Sequence, residues 1–187
     1  MSTCIILSTA LHAQDTILTS DLSTAVEDPS TRIIGGNATT IDKYPFAVQV
    51  IDTSPHYPIL DCCTPQILYN SQLSCGGSLI TRRHVLSAAH CFVATNGQQV
   101  SPVYFSVRVG STYLNTGGTL HSVSEVIVHR SYNTPVRDYD IAVMTLATRV
   151  TLSSSVGTVY IPVADAVVAD YALVTTVGWG RTNVRFF

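Results

Sequence analysis

Cys75-Gly-Gly-Ser-Leu-Ile-Thr-Arg-Arg-His-Val-Leu-Ser-Ala-Ala-His-Cys91 is the stretch that decides the fold. It holds two short strand-like runs, Ser78–Ile80 and Val85–Ser87, with a polar turn between them. Outward from it lie similar runs: Phe46–Ile51 before it, then Tyr104–Val109, Ser122–Val128, Ile141–Leu146 and Leu173–Val177 after it. Breakers stand between them at Asn96-Gly97, Asn115 to Gly118, Asn133-Thr-Pro135 and Ser153 to Gly157. Short strands at this spacing predict an all-β sandwich or barrel. There is no long amphipathic helix and no internal repeat. Residues 52–74 carry Pro55, Pro58 and Pro65 with little alternation, and read as a loop inserted between the first two strands.

Composition agrees. Val, Thr and Ile supply 59 of 187 residues, and Lys occurs once. Side chains branched at Cβ fit a pleated sheet better than a helix. Charged residues make up 12% and hydrophobic residues 46%, which excludes an intrinsically disordered chain. A net charge of −2 offers no footprint for nucleic acid. No run reaches the roughly 18 apolar residues of a membrane span.

The first residues read as targeting and processing segments. An apolar stretch from Cys4 to Leu11 ends in small residues near Ala10 and Ala13, so 1–13 is expected to be a secretory signal. Residues 14–32 are polar and carry four acids, Asp15, Asp21, Glu27 and Asp28, against the single base Arg32. That shift marks a detachable propeptide. Secretion brings an oxidising compartment. Cys75 and Cys91, 16 residues apart around an apolar stretch, are then a disulfide candidate. Cys4 leaves with the signal. Cys62 and Cys63 are neighbours that do not suit one another geometrically; their partners lie elsewhere or they are free. Asn37-Ala38-Thr39 is a glycosylation sequon, a mark of a surface loop outside the cytosol.

Four strings fall in a fixed order: Arg32-Ile33-Ile34-Gly35-Gly36, Cys75 through Cys91, Asp138-Tyr-Asp140-Ile-Ala-Val-Met144, and Gly178-Trp179-Gly180. Together they resemble the chymotrypsin/trypsin-like serine endopeptidases. Residues 32–51 and 104–133 are most similar to insect trypsin-like enzymes, and the resemblance runs from 32 to about 180. It implies a fold of two six-stranded β-barrels with the active site between them. Residues 33–155 would be the first barrel, and 156–187 the linker and first strand of a second barrel that is only begun.

The resemblance also assigns roles. His90 would be the general base, since imidazole changes charge near working pH and can take a proton from a weak nucleophile. Asp140 would hold the other His90 nitrogen. The apolar run Ile141 to Met144 after it favours burial, and a buried carboxylate needs a donor. Asp138, two residues earlier, is the competitor, set aside because an Asp directly before Ile-Ala matches the family. Cleavage after Arg32 would free the amino group of Ile33 for an internal ion pair, making the protein a zymogen. A Cys75–Cys91 bond would fix the backbone beside the base. Implied partners are a protein or peptide substrate, an activating protease and protease inhibitors. No cofactor is implied. His12, His56, His84, His121 and His129 lack zinc-ligand spacing. Residues 62–124 contain no Asp or Glu for a calcium loop, so no metal is expected.

One string is missing. The family nucleophile sits in Gly-Asp-Ser-Gly-Gly-Pro, which does not occur in these 187 residues. The 187-residue form is therefore expected to be inactive alone. A non-catalytic homologue, acting as a binding or decoy protein, is the alternative.

Overall fold

The computed structural model describes residues 37–54, 72–94, 96–132 and 138–180. The signal and propeptide segments, Arg32, Ile33, Cys4, Cys62 and Cys63 lie outside the described residues. Six antiparallel strands form one closed barrel: β1 Ala47–Asp52, β2 Gln72–Leu79, β3 His84–Ser87, β4 Phe105–Val109, β5 Thr119–Val128 and β6 Ala142–Leu146. Around the barrel the order is β1-β2-β3-β6-β5-β4, and β4 returns to β1. Closure gives each of the described strands a neighbour on both sides. Short 3-10 turns occur at Ile41–Lys43, Ala89–Cys91 and Pro102–Tyr104. Among the described residues no helix is long and apolar enough to cross a membrane. The all-β reading, with one barrel present, is what the chain adopts.

Period-two alternation explains β4 and β6, whose residues alternate between buried and half-buried. Their inward side chains, Phe105, Val107, Val109, Met144 and Leu146, meet Val48, Val50, Leu79 and Val85 in the core. Phe92 packs edge-on against Phe105 at 5.0 Å between ring centroids, a favoured aromatic geometry. β1 departs from alternation, with five consecutive buried residues. Gln49 faces away from the core between Val48 and Val50, and its side chain bonds to the 111–115 turn. Its side-chain NH2 donates to the Tyr113 carbonyl at 2.9 Å, and the Asn115 N–H donates to its Oε1 at 3.0 Å.

Two expectations need correction. Residues 52–74 are not loop throughout: Asp52 pairs with Gln72 and Ile51 with Leu73. The register shifts between Val50 and Ile51. A bulge puts two residues opposite one, so period two is lost and the strand ends become illegible in the sequence. Second, Leu173–Val177 forms no regular strand, and among the described residues no strand follows Leu146. A strand exists through its ladder of inter-strand hydrogen bonds, and the closed barrel has none to offer. The segment leaves the barrel where the Gly157 N–H meets the Pro45 carbonyl and the Val159 N–H meets the Leu79 carbonyl, both at 2.9 Å. Tyr160, Val163, Val167, Tyr171 and Leu173 then stand in solvent. The segment returns to the barrel at Trp179, whose Nε1–H donates to the Thr112 carbonyl at 2.8 Å.

Candidate active site

The pairing of β3 with β6 builds the site. Ser87 lies opposite Ala142, so the residues just after β3 and just before β6 emerge at one end of the barrel. His90 is three residues past Ser87, in the Ala89–Cys91 turn. Asp140 is two residues before Ala142. Fifty residues of chain separate them, yet Asp140 grips His90 twice. Its Oδ1 accepts the His90 backbone N–H at 2.8 Å, and its Oδ2 stands 2.6 Å from His90 Nδ1. The carboxylate therefore sets both the main chain and the ring. Its acceptor places the imidazole proton on Nδ1 and leaves Nε2 with a lone pair. The side chains are 12% and 24% exposed, respectively, buried enough to be held and open enough to meet a ligand.

The backbone before Asp140 is tightly turned. Tyr139 has φ 53°, a left-handed value unusual for an aromatic residue, and the Ile141 N–H reaches back to the Tyr139 carbonyl at 2.7 Å. The His129 ring stacks on the Tyr139 ring at 4.8 Å with 7° between planes. The His129 N–H donates to the Ile141 carbonyl at 3.0 Å. This support could not be read from the sequence, where His129 has no partner pattern. Asp138, by contrast, is exposed, and its Oδ1 accepts the Tyr139 N–H at 3.0 Å. It does not join His90.

Cys75 on β2 is bonded to Cys91, with Cα atoms 6.3 Å apart. The bond ties the turn carrying His90 to the barrel wall. Ser87 Oγ, at the end of β3 just before that turn, donates to the Gly76 carbonyl of β2 at 2.9 Å. Asn37 is exposed on the segment leading to β1. His84 and His121 serve local contacts, with Thr81 at 2.7 Å and with Thr119 and Thr148 at 3.2 Å.

What the arrangement can do chemically is accept a proton at Nε2 while Asp140 stabilises the resulting imidazolium. Known proteins share the setting. The sequence model described as Trypsin matches residues 33–185. Trypsin CFT-1 of Choristoneura fumiferana is 32% identical over 158 residues, covering 84% of this chain and 55% of that protein. Achelase-1 of Lonomia achelous is 36% identical over 151 residues, covering 81% and 61%. The crystal structure of scabies mite inactivated protease paralogue S-D1 is 27% identical, with a TM-score of 0.53. That alignment covers 70% of this chain and 46% of the mite chain. The chain thus spans between about half and three-fifths of the length of these insect relatives. On the breadth of the family match and the identity to insect trypsins, the chain belongs to the trypsin-like serine protease family.

Proposed function

We propose that the whole protein is a secreted serine-type endopeptidase and that residues 33–180 supply its base and orienting carboxylate. The observation that carries this reading is the double grip of Asp140 on His90. An imidazole held in one tautomer with Nε2 free is prepared to deprotonate a hydroxyl nucleophile. Its substrates are proteins or peptides. It is made as a zymogen behind residues 1–32, and an activating protease cuts after Arg32 to release Ile33. The 187-residue chain hydrolyses nothing alone, because it does not contain the Gly-Asp-Ser-Gly-Gly-Pro string. In a hydrolase with the same triad, loss of the serine costs about 2 × 10⁶ in turnover, roughly 8–9 kcal/mol of transition-state stabilisation.

A chimera tests the roles. Residues 33–180 are joined to the serine-bearing half of an insect trypsin. Peptide-ester hydrolysis is then followed, with a serine-directed phosphonate counting folded sites. His90→Ala should lower turnover by about 10⁴–10⁶ and Asp140→Asn by about 10⁴. A chimera that takes up phosphonate stoichiometrically and hydrolyses just as fast without His90 would overturn the assignment. The unextended chain should leave the same ester uncut and stay unlabelled.

The likeness to the mite chain supports a second reading, since that protein is described as an inactivated protease paralogue. On this reading the present chain is a non-catalytic homologue that binds a partner or an inhibitor as a decoy. Its natural full-length form would then resist the phosphonate as well.

A further inference from the structure

Asn37-Ala38-Thr39 takes no part in the dyad. It is the single Asn-X-Ser/Thr triplet with X other than proline in the 187 residues. The remaining five asparagines, at 70, 96, 115, 133 and 183, are followed two positions on by Gln, Gln, Gly, Pro and Arg. Asparagine that serves the fold is tied into it. Asn96 Oδ1 accepts the Gln98 N–H at 3.0 Å, and Asn115 takes a left-handed turn position with its N–H on Gln49. Asn37 does neither. Asn37 and Thr39 are exposed on a stretch without regular structure, and neither side chain has a hydrogen-bond partner among the described residues.

Asn37 also stands on the wall of an open groove of about 770 Å³ between residues 37–44 and 175–180. A sugar on its amide therefore meets space rather than packed side chains. Topology places this groove away from the dyad. β1 and β3 both run antiparallel to β2, so they share one direction. The chain enters β1 at one end of the barrel and leaves β3 toward His90 at the other. The entry segment is held at its own end, where the Ile41 N–H donates to Thr112 Oγ1 at 3.0 Å. Thr112 lies just past β4, which runs antiparallel to β1 and so finishes where β1 starts.

We propose that Asn37 Nδ2 carries an N-linked glycan, set at the barrel end remote from the dyad. There it screens the 37–44 segment from large partners and leaves His90 and Asp140 open to substrate. An exposed Asn-X-Thr triplet in a surface segment is what the transferase accepts. The donor is a lipid-diphosphate-linked oligosaccharide. The amide nitrogen bonds to the anomeric carbon of the first sugar, and the bond from that carbon to the diphosphate oxygen breaks. The lipid diphosphate leaves, the amide gives up one proton, and no oxidant or reductant is needed. The modification rests on entry into the secretory pathway, which belongs to the function proposed above.

The test is cell-free translation of the full chain with endoplasmic-reticulum microsomes, in two arms. One arm keeps the native first residues, and the other places a strong cleavable signal ahead of Gln14. The expected product is protected from added protease and raised in mass by one glycan per chain. An amidase that splits the Asn–sugar bond should reverse the shift and leave a carboxylate at position 37, located by peptide mass spectrometry. Asn37→Gln and Thr39→Ala should abolish the shift, and Thr39→Ser should retain it. An endoglycosidase should trim the sugar from the native chain without denaturant. A chain that loses the supplied signal, and so has been translocated, yet carries no sugar overturns the inference. So does a shift that survives Asn37→Gln, or a sugar that is cut only after unfolding. A glycan in the supplied-signal arm alone upholds the inference and counts against the native secretory segment only.

Discussion

Gln49 is a polar side chain with no exposed surface, set between apolar residues from Ala47 to Ile51 along its strand. Both ends of its amide are used, one by Tyr113 and the other by Asn115. Gln49→Ala should destabilise the barrel by about 1–3 kcal/mol, the usual effect of orphaning part-buried backbone groups. Chemical denaturation with an unchanged slope checks it, and a shift below about 0.5 kcal/mol would show that Gln49 does not support the barrel. At this scale the sequence is informative where chemistry restricts the choice of residue. Arg32, His90 and Asp140 stand in strings with few other uses. The double grip on His90 is not legible, because nothing in the order of residues says that one carboxylate will reach both a ring and a backbone N–H. The left-handed Tyr139 is invisible for a stronger reason. An aromatic residue disfavours that conformation, and only the surrounding stack and hydrogen bonds hold it there.

Among elements, the β4–β5 hairpin shows what the sequence signals well. Asn115, Gly117 and Gly118 mark the turn, and all three have positive φ. Gly118 has φ 57°, and a Cβ added there would overlap the Val109 carbonyl oxygen. Gly97 has φ 79° but open space around it. Gly118→Ala should therefore cost about 2–3 kcal/mol and Gly97→Ala about 1 kcal/mol, the difference being the backbone clash added to the conformational strain. Thermal unfolding of the two variants decides the matter, and equal losses would contradict it. Strands that face one way along their whole length, such as β4 and β6, are readable from alternation within one residue of their observed limits. The beginning of β2 is not, because the extra residue of the bulge, Ser74, falls in β2 itself and breaks the pattern. Leu173–Val177 has strand composition without a strand, since composition describes a preference for a pleated surface and cannot supply the neighbour.

At the scale of the whole molecule, the described residues form a closed barrel with an apolar appendage. Tyr160, Val163, Val167, Tyr171 and Leu173 are each more than four-fifths exposed, far more apolar surface along one segment than a soluble monomer usually shows. The isolated chain should bind a hydrophobic dye and self-associate; a monomeric sizing profile without dye binding would count against this. The single tryptophan, Trp179, reports on the appendage alone, through its bond to Thr112. Its fluorescence should change at lower denaturant than the far-ultraviolet signal of the barrel, because among the described residues no strand of the appendage pairs with the barrel. Coincident transitions would show the two to be one cooperative unit. The strand order itself bears on how the protein is made. β3 joins β6, and β1 joins β4, each across roughly sixty residues of chain, so the pairings that close the barrel demand the largest loss of chain entropy and form slowly. His90 and Asp140 sit on that late seam. During synthesis, an emerging chain therefore has no assembled dyad until β6 has been made and has paired with β3.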